Sequence, residues 1–274
     1  MPEGILRNAP VYLLSAARCF ALIMTLPLFS SQTVNRKVKI ALAGFLAAFI
    51  SPQLSLYSGS FSAYGPFITP EGNFNLVFIL LLLGEGMIGV IIGFYIQIIF
   101  AVFSTAGQFF AFQMGFSASS TYDSLSQVEN PLLGQFLNFS AMLVFLQQKF
   151  FQKIFITGIK NSFDTLNAFS IVNHTDSLFT FMTGSLVKLF ADAFVVALPI
   201  MGTLFLINVM MGVISKAVPQ MNLLSETFPI MILTGFFIML SLFPQLVSLF
   251  TNSFSSGFKS LQKLFMMLHD GGIP

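Results

Sequence analysis

Charged side chains are scarce in this sequence. Its 274 residues include 12 Lys or Arg and 10 Asp or Glu, which is 8% of the chain, whereas a soluble domain has about 25% charged residues. Intrinsic disorder is excluded because it requires low hydrophobicity, and 55% of these residues are hydrophobic. An ordinary soluble enzyme is disfavoured because so few ions would not keep its surface soluble. The chain is therefore predicted to lie in a membrane or to be buried among protein partners.

Residues that build catalytic and metal sites are also few. The single cysteine, Cys19, excludes an internal disulfide and a Cys-based metal site. The two histidines, His174 and His269, lie too far apart in the sequence to support a His-centred site. Enzyme motifs such as the P-loop are missing, and the net charge of +2 is too small to indicate nucleic acid. We therefore predict no catalytic residue, cofactor, metal or nucleic-acid partner.

Long apolar runs make up most of the chain. Six segments follow from the hydropathy: 9–30, 38–57, 74–103, 131–148, 178–214 and 227–250. Helices are expected because an unpaired backbone group in hydrocarbon costs several kcal/mol. As straight helices, the third and fifth segments would measure about 45 and 55 Å, against a hydrocarbon core of about 30 Å. The fold is therefore predicted to be all-α, with membrane-associated helical hairpins whose long helices are tilted, broken or extended beyond a bilayer.

The connections between these segments give little information on orientation. Residues 30–37 predict a tight hairpin between the first two segments, and residues 149–177 form a polar connection. The first apolar stretch is too long for a cleaved secretory signal and is interpreted as a retained helix. If all six segments span, the Lys and Arg residues divide too evenly between the two sides for the positive-inside rule to orient the chain.

Glu85 is a carboxylate inside the third apolar segment. Placing it in a membrane helix costs roughly 2.5–3.5 kcal/mol on insertion scales. Gly86, Gly89 and Gly93 fall on one face of the same helix, where they would permit close approach of a second helix. We interpret Glu85 as a hydrogen-bonded carboxylate at a helix–helix contact; an ion or proton site is the alternative. Lys188 and Asp192, four residues apart, are interpreted as a pair that neutralises itself.

The stretch from Ala106 to Phe116 combines aromatic, thioether, amide and small side chains. Apolar side chains can close a constriction, methionine can repack, and glycine allows the backbone to move. Hydrophobic constrictions of this kind gate pores; an ordinary helix end is the alternative. The candidate sealing residues are Gly107, Phe109, Phe110, Phe112, Met114, Gly115 and Phe116.

Three prolines and an asparagine mark the region from Leu198 to Pro229. Proline disturbs a helix and restricts the residue before it, so Pro199 predicts a kink or break in the fifth segment. Pro219 and Pro229 are expected to limit a tight turn that contains Asn222. The region is therefore predicted to form a kinked helix, a turn and a second helix.

Taken together, these stretches resemble the FliR family of flagellar and type III secretion export-gate proteins. The resemblance is spread over most of the chain and depends on several motifs in the same order. They are Lys37-Val-Lys-Ile-Ala-Leu-Ala43, Glu85-x-x-Ile-Gly-x-x-Ile-Gly-Phe94, Phe112-Gln-Met-Gly115, Asn130-Pro-Leu132 and Pro219-Gln-Met-Asn222.

The resemblance implies a single export-gate subunit in the bacterial inner membrane, at the flagellar basal body. Such a subunit assembles with FliP and FliQ, is contacted by FlhB, and lets unfolded substrates pass. Residues 1–177 would be a FliP-like part with a central plug loop at about 104–130, and residues 178–274 a FliQ-like hairpin part.

The resemblance also assigns roles to the candidate residues. The sealing residues would line the plug, Glu85 and its three glycines would pack helices, and Pro219, Asn222 and Pro229 would shape the hairpin tip. Two other functions remain open. One is a small-solute transporter that uses Glu85, Lys188 and Asp192 as intramembrane charges, although no repeated halves of the transporter type are found. The other is a structural membrane scaffold.

Overall fold

The computed structural model of the chain describes residues 2–30, 34–54, 56, 59–68, 75–115, 132–217 and 223–269. These residues form helices joined by short turns, and no strand occurs among them. The prediction of an all-α fold is therefore confirmed.

The N-terminal segment forms a helical hairpin. Its helices are α1 (Pro2–Thr25), α2 (Pro27–Ser30) and α3 (Arg36–Ile50). On α1, Leu14, Arg18 and Leu22 are buried at intervals of four residues, as expected for one face of a helix. Helix α3 packs on α1 through small side chains, Ala43 and Ala47, which let the two backbones approach closely.

Helix α4 (Leu76–Gln113) has 38 residues and a length of about 57 Å. It continues ten residues beyond the apolar segment that ended at 103. The prediction of a central loop at about 104–130 therefore placed the start of that loop too early. Residues 104–113 contain no proline and keep helical hydrogen bonding despite their polar side chains. Residues 116–131 of that loop lie outside the described part of the chain.

Short helical pieces replace the polar connection predicted at 149–177. After α5 (Leu132–Gln147) come α6 (Phe150–Lys153), a π-helix (Ile154–Ile159), α7 (Lys160–Thr165) and α8 (Ala168–Asn173). Lys149 has a φ of 57° and separates α5 from α6. Asn167 starts α8 with a capping box, in which its side chain accepts a hydrogen bond from the Ser170 N–H. Two 3₁₀ turns, Ser51–Gln53 and Ser60–Phe67, lie between α3 and α4.

The two longest helices are α9 (Thr175–Ala217) and α10 (Leu223–His269). Pro199 lies inside α9 without ending it, so the predicted break does not occur. Pro229 lies inside α10, seven residues from its start, and therefore does not limit the turn as predicted. The other two residues assigned to the hairpin tip, Pro219 and Asn222, lie outside the described residues.

Within the described part of the chain, three helices are long and apolar enough to cross a membrane. They include residues Leu76–Gln113, Thr175–Ala217 and Glu226–Leu268, and only 22–39% of their most apolar windows is buried within the chain. The helical stretches Ala9–Thr25 and Leu132–Gln147 are apolar but shorter. Most of the apolar surface of the long helices is thus left for lipid or for other proteins.

The chain divides into two compact units, and neither is continuous in sequence. Unit 1 consists of Met1–Ile98, Lys149–Ser185 and Ser255–Pro274. Unit 2 consists of Ile99–Gln148 and Leu186–Phe254. Helices α4, α9 and α10 each contribute residues to both units, so each unit is built from segments that are far apart in the sequence.

Candidate functional site

The C-terminal end of α4 carries most of the candidate sealing residues, and its helical geometry separates them. Phe110 and Met114, four residues apart, are completely buried in unit 2. Phe109 is half-buried, and its ring packs edge-on against Phe194 with centroids 6.2 Å apart. Phe112 points away from this core and is 70% exposed. The aromatic stretch therefore has an anchored face and a free face.

Gly107 is a close-contact position and not a hinge. It lies within α4, where a Cβ atom would be 2.5 Å from the Cα of Gly134 on α5 and 2.7 Å from the Leu133 carbonyl oxygen. Both distances are shorter than real Cβ contacts, so any side chain would push the two helices apart. The predicted role of Gly107 in letting a loop swing is therefore wrong, because helix packing fixes this residue.

Gly115 is different because it ends the helix in a left-handed conformation. Its φ is +84°, and its N–H donates to the Phe112 carbonyl over 3.1 Å. A Cβ atom at this position would overlap the ring of Phe228 on α10. Glycine is thus required here by both backbone conformation and space. Phe116, the next candidate residue, lies outside the described residues.

An open cavity of about 410 Å³ lies beside this helix end in unit 2. Its lining combines aromatic and thioether side chains with a few amides and a hydroxyl. The lining residues are Phe112, Gln113, Gly115, Asn208, Met211, Gly212, Thr227, Phe228 and Met231. None of these residues is charged, so the cavity suits apolar or neutral polar groups.

A cluster of phenylalanine rings holds α4, α5 and α10 together in unit 2. Its members are Phe100, Phe103, Phe145, Phe250 and Phe254, all at most 2% exposed. Their ring centroids are 4.3–5.6 Å apart in tilted or edge-on pairs, which is the arrangement that aromatic pairs prefer. Five of the 36 phenylalanines of the chain thus form part of the core of unit 2, which also contains the buried sealing residues.

Glu85 lies in unit 1 and forms a bidentate ion pair with Arg18 of α1. Arg18 Nε donates to Glu85 Oε2 over 2.7 Å, and Arg18 Nη2 donates to Oε1 over 2.9 Å. The two side chains are 1% and 0% exposed. Two parallel hydrogen bonds to a carboxylate are the geometry in which a guanidinium binds most strongly.

Backbone and phenol groups complete this buried cluster. Arg18 also donates to the carbonyl oxygens of Ser162, over 2.6 Å, and Leu166, over 2.9 Å. Tyr64 donates to Glu85 Oε1 over 2.6 Å and accepts a hydrogen bond from the Ala168 N–H. The guanidinium also faces the Phe163 ring, 4.2 Å from its centroid.

The environment of Tyr64 keeps its phenol protonated. Burial raises the pKa of Tyr64 well above its usual value, and the negative charge and hydrogen bond of Glu85 raise the pKa further. The phenol is therefore a permanent donor to the carboxylate. Because each charge in the cluster has its partner, the arrangement supports a structural role and offers no free carboxylate for ion transfer.

The glycines beside Glu85 do not all serve the same contact. A Cβ on Gly89 would overlap the Arg18 carbonyl oxygen, and one on Gly93 would overlap the side chain of Thr25. These two glycines lie at the contact between α4 and α1. Gly86, which the sequence placed on the same packing face, has no described atom within 4 Å of its Cβ position apart from its chain neighbours and the backbone of its own helix.

Sequence reasoning missed the partners of Glu85. Arg18 and Glu85 are 67 residues apart, and Tyr64 lies in a 3₁₀ turn. The available signal was that an arginine and a glutamate each occur in an apolar helix, where each requires a counter-charge.

The other predicted pair, Lys188 and Asp192, differs in burial, since Lys188 is exposed and Asp192 half-buried. No group of three potential metal ligands occurs among the described residues.

Comparison with known proteins gives a consistent family. The family described as bacterial export proteins, family 1, matches residues 9–257. Flagellar biosynthetic protein FliR of Borreliella burgdorferi is 33% identical over 172 residues, which cover 62% of this chain and 64% of that protein. The FliR protein of Bacillus subtilis is 26% identical over 268 residues, 97% of this chain and 98% of that protein.

A relative with another name also matches. The surface presentation of antigens protein SpaR of Shigella sonnei is 30% identical over 160 residues, which cover 58% of this chain and 60% of that protein. The matched part thus spans slightly less than two thirds of the SpaR and Borreliella proteins and nearly the whole of the Bacillus protein.

Proposed function

The chain belongs to the bacterial export proteins, family 1, and from that premise we propose that it is a non-enzymatic subunit of the flagellar type III protein export gate. With FliP-like and FliQ-like subunits it forms a channel for unfolded substrates in the bacterial inner membrane, and an FlhB-like subunit contacts it. Relatives named as flagellar biosynthetic proteins support the flagellar assignment.

The end of α4 carries this proposal. A hydrophobic seal needs apolar side chains that face the pore. The helix that carries them has to be fixed by packing on its other face, because a mobile ring would close the pore poorly. Phe110 and Met114 supply the anchored side, and Phe112 supplies an exposed ring beside Gly115. We assign the sealing function to these residues and to the plug loop that follows them, including Phe116.

The division into a FliP-like part, 1–177, and a FliQ-like part, 178–274, belongs to the same proposal. The apolar surface that α9 and α10 leave exposed supports it, because stacked subunits would cover such surface. Recovery of the chain in a large complex with two small hydrophobic subunits is the expected result of purification from its host. Recovery as a lone monomer stabilised by a solute would support a transporter instead.

Substitution of Phe112 tests the seal without disturbing the core. Phe112→Ala removes a side chain that is 70% exposed, so the fold is retained while the constriction widens. We expect faster leakage of ions across the inner membrane, with export maintained. Phe237→Ala is the matched control, since Phe237 is 71% exposed in the same unit. Equal leakage in the two variants would remove Phe112 from the seal, and intact sealing after deletion of residues 109–116 would remove the whole stretch.

Cross-linking distinguishes a channel from a scaffold. Cys19, the single native cysteine, is 1% exposed and does not compete with an introduced thiol. A Phe112→Cys variant is expected to cross-link to a substrate that is trapped during export, and a Phe237→Cys variant is not. If no substrate reacts at position 112 while export continues, the chain is a scaffold outside the channel.

A further inference from the structure

The hairpin of α1 and α3 carries positive charge that its own acidic residues do not balance. Residues 4–70 contain five basic and no acidic side chains. Arg18 is neutralised by Glu85 inside the fold. Arg36 and Lys37, at the start of α3, are exposed and form no salt bridge with any described residue. The turn end of this hairpin, where α3 begins, is therefore cationic.

An apolar stripe runs along α3 away from that charged end. Val38, Phe45 and Phe49 are 55%, 69% and 68% exposed, and together with exposed Ala41 they follow the spacing of one helix face. The opposite face, with Ala43 and Ala47, is buried against α1. The stripe is thus an outer surface of unit 1 that the hairpin itself does not cover.

The distance between the charges and the rings fits one leaflet of a bilayer. Phe45 and Phe49 lie 8 and 12 residues beyond Lys37, or about 12 and 18 Å along the helix axis. Half of the hydrocarbon core is about 15 Å thick. With Lys37 at the level of the headgroups, the two rings reach the middle of the membrane. The whole of α3, with 15 residues, is about 22 Å long and too short to span.

We propose that this face of α3 docks in a membrane leaflet and selects anionic phospholipids, which Arg36 and Lys37 hold by their phosphate and headgroup charges. The occupant is a lipid because the apolar stripe reaches the depth of the acyl chains and the cations lie at only one end of it, at the level of the headgroups. It is anionic because Arg36 and Lys37, which form no salt bridge with the described residues, are attracted to negative headgroups and gain little from zwitterionic ones. The proposal requires a membrane-embedded chain but does not depend on the role in the export gate.

Photo-cross-linking at the stripe tests this directly. A photoreactive phenylalanine analogue replaces Phe45, whose exposed ring does not support the core, in the full chain recovered with its partners. The complex is placed in vesicles of equal phosphatidylglycerol and phosphatidylcholine, and lipid adducts at position 45 are identified by mass. Phosphatidylglycerol adducts are expected to predominate.

Two matched double variants supply the controls. In Arg36→Gln/Lys37→Gln, the ratio of phosphatidylglycerol to phosphatidylcholine adducts is expected to fall by up to about 30-fold, or about fivefold per charge. Lys259→Gln/Lys263→Gln removes two exposed charges from the same unit, where the nearby Leu261 and Leu264 are buried and offer no stripe. This second variant is expected to leave the ratio unchanged.

Three results would overturn the proposal. The first is an adduct ratio that does not respond to Arg36→Gln/Lys37→Gln. The second is an equal response to the two double variants, which would show a general effect of net charge. The third is an adduct with a protein subunit in place of lipid, which would make the stripe a protein interface.

Discussion

Arg18 uses its three guanidinium nitrogens on five acceptor atoms: two carboxylate oxygens, two backbone carbonyl oxygens and the Ser162 Oγ. A buried ion pair is only as favourable as its geometry, because taking both charges out of water is costly. Here the partners of the two charged groups come from three segments of unit 1: α4, residues 162–166 and the 3₁₀ turn that contains Tyr64. The Arg18 side chain therefore links α1 to α4 and to residues 162–166.

Removing the charge of Glu85 should expose the cost of burying Arg18. Glu85→Gln leaves the guanidinium buried without a counter-ion, and loss of one partner of a buried pair typically costs about 3–5 kcal/mol. We expect a matching decrease in the free energy of unfolding, measured in detergent by thermal or denaturant unfolding. Asp164→Asn, at an exposed carboxylate, is the control and should change stability by less than about 0.5 kcal/mol. Similar stability of the two variants would contradict the structural role of the pair.

Tyr64 allows a smaller test of the same cluster. Tyr64→Phe removes a donor to Glu85 and an acceptor for the Ala168 N–H. Leaving buried groups unsatisfied costs about 1–3 kcal/mol each, so destabilisation in that range is expected in the same unfolding assay. Tyr12→Phe is the control, because Tyr12 is exposed and its hydrogen bond to Gly44 is 3.4 Å long. Equal effects of the two substitutions would show that the Tyr64 hydroxyl does not contribute.

At this scale the sequence indicated which side chains need partners but not which partners they have. Glu85 stood out as a carboxylate in an apolar helix, and it is buried and hydrogen-bonded at a contact between helices. Its pairing with Arg18 depends on how α1 crosses α4, and no local pattern in the sequence encodes that crossing. Tyr64 was missed because a tyrosine in a Ser/Gly/Pro-rich loop carries no sign of burial.

The helix α4 contains glycines with opposite surroundings, three residues apart. Gly89→Ala would place a methyl group on the Arg18 carbonyl, whereas Gly86→Ala would place it in open space. Overpacking typically costs about 1–3 kcal/mol, so Gly89→Ala should destabilise unit 1 by that amount. The second should be neutral or stabilise by up to about 1 kcal/mol, because alanine favours helices. Comparing the unfolding free energies of the two variants checks both; a more harmful Gly86→Ala would contradict the contact between α1 and α4.

Helix positions were predicted better than helix ends. The segment 131–148 corresponds closely to α5, while α4 and α10 continue well beyond the segments 74–103 and 227–250. Hydropathy marks where apolar side chains stop, but helical hydrogen bonding continues through polar residues such as Gln108 in α4 and Asn252 in α10. Pro199 and Pro229 were expected to interrupt or limit helices, but both lie inside helices, which continue despite the one backbone hydrogen bond that each proline removes.

The molecule as a whole exposes more apolar surface than a soluble protein could keep in water. Phenylalanines on α9 and α10, such as Phe205 and Phe237, are 60% and 71% exposed. Scarcity of charge predicted this property from the sequence alone. The division into two units, each discontinuous in sequence, was not predictable, because it depends on contacts between residues more than 100 positions apart, such as Tyr95 and Gly257.

A charge on this surface should prevent normal insertion or assembly. Phe205→Arg places a cation on the most apolar part of α9, where insertion costs roughly 2.5–3.5 kcal/mol. The amount of chain in the membrane fraction, and of partner subunits that co-purify with it, should therefore decrease strongly. Phe205→Ala retains an apolar surface and should leave both amounts nearly unchanged. If arginine is tolerated as well as alanine, this face of α9 meets water.

The hydrogen bonds of Arg18 also determine the order in which parts of unit 1 can pack during biosynthesis. The ribosome produces Arg18 144 and 148 residues before its two carbonyl acceptors, Ser162 and Leu166, and the third segment of the same unit, which begins at Ser255, is synthesised later still. Closing such long loops is slow and entropically costly. Arg18 can therefore meet Glu85 early in synthesis, but it lacks its two carbonyl acceptors until residues 162–166 have been added. Unit 1 is completed only after the final turns of α10 have left the ribosome, so its closure has to wait until all three of its segments have been synthesised.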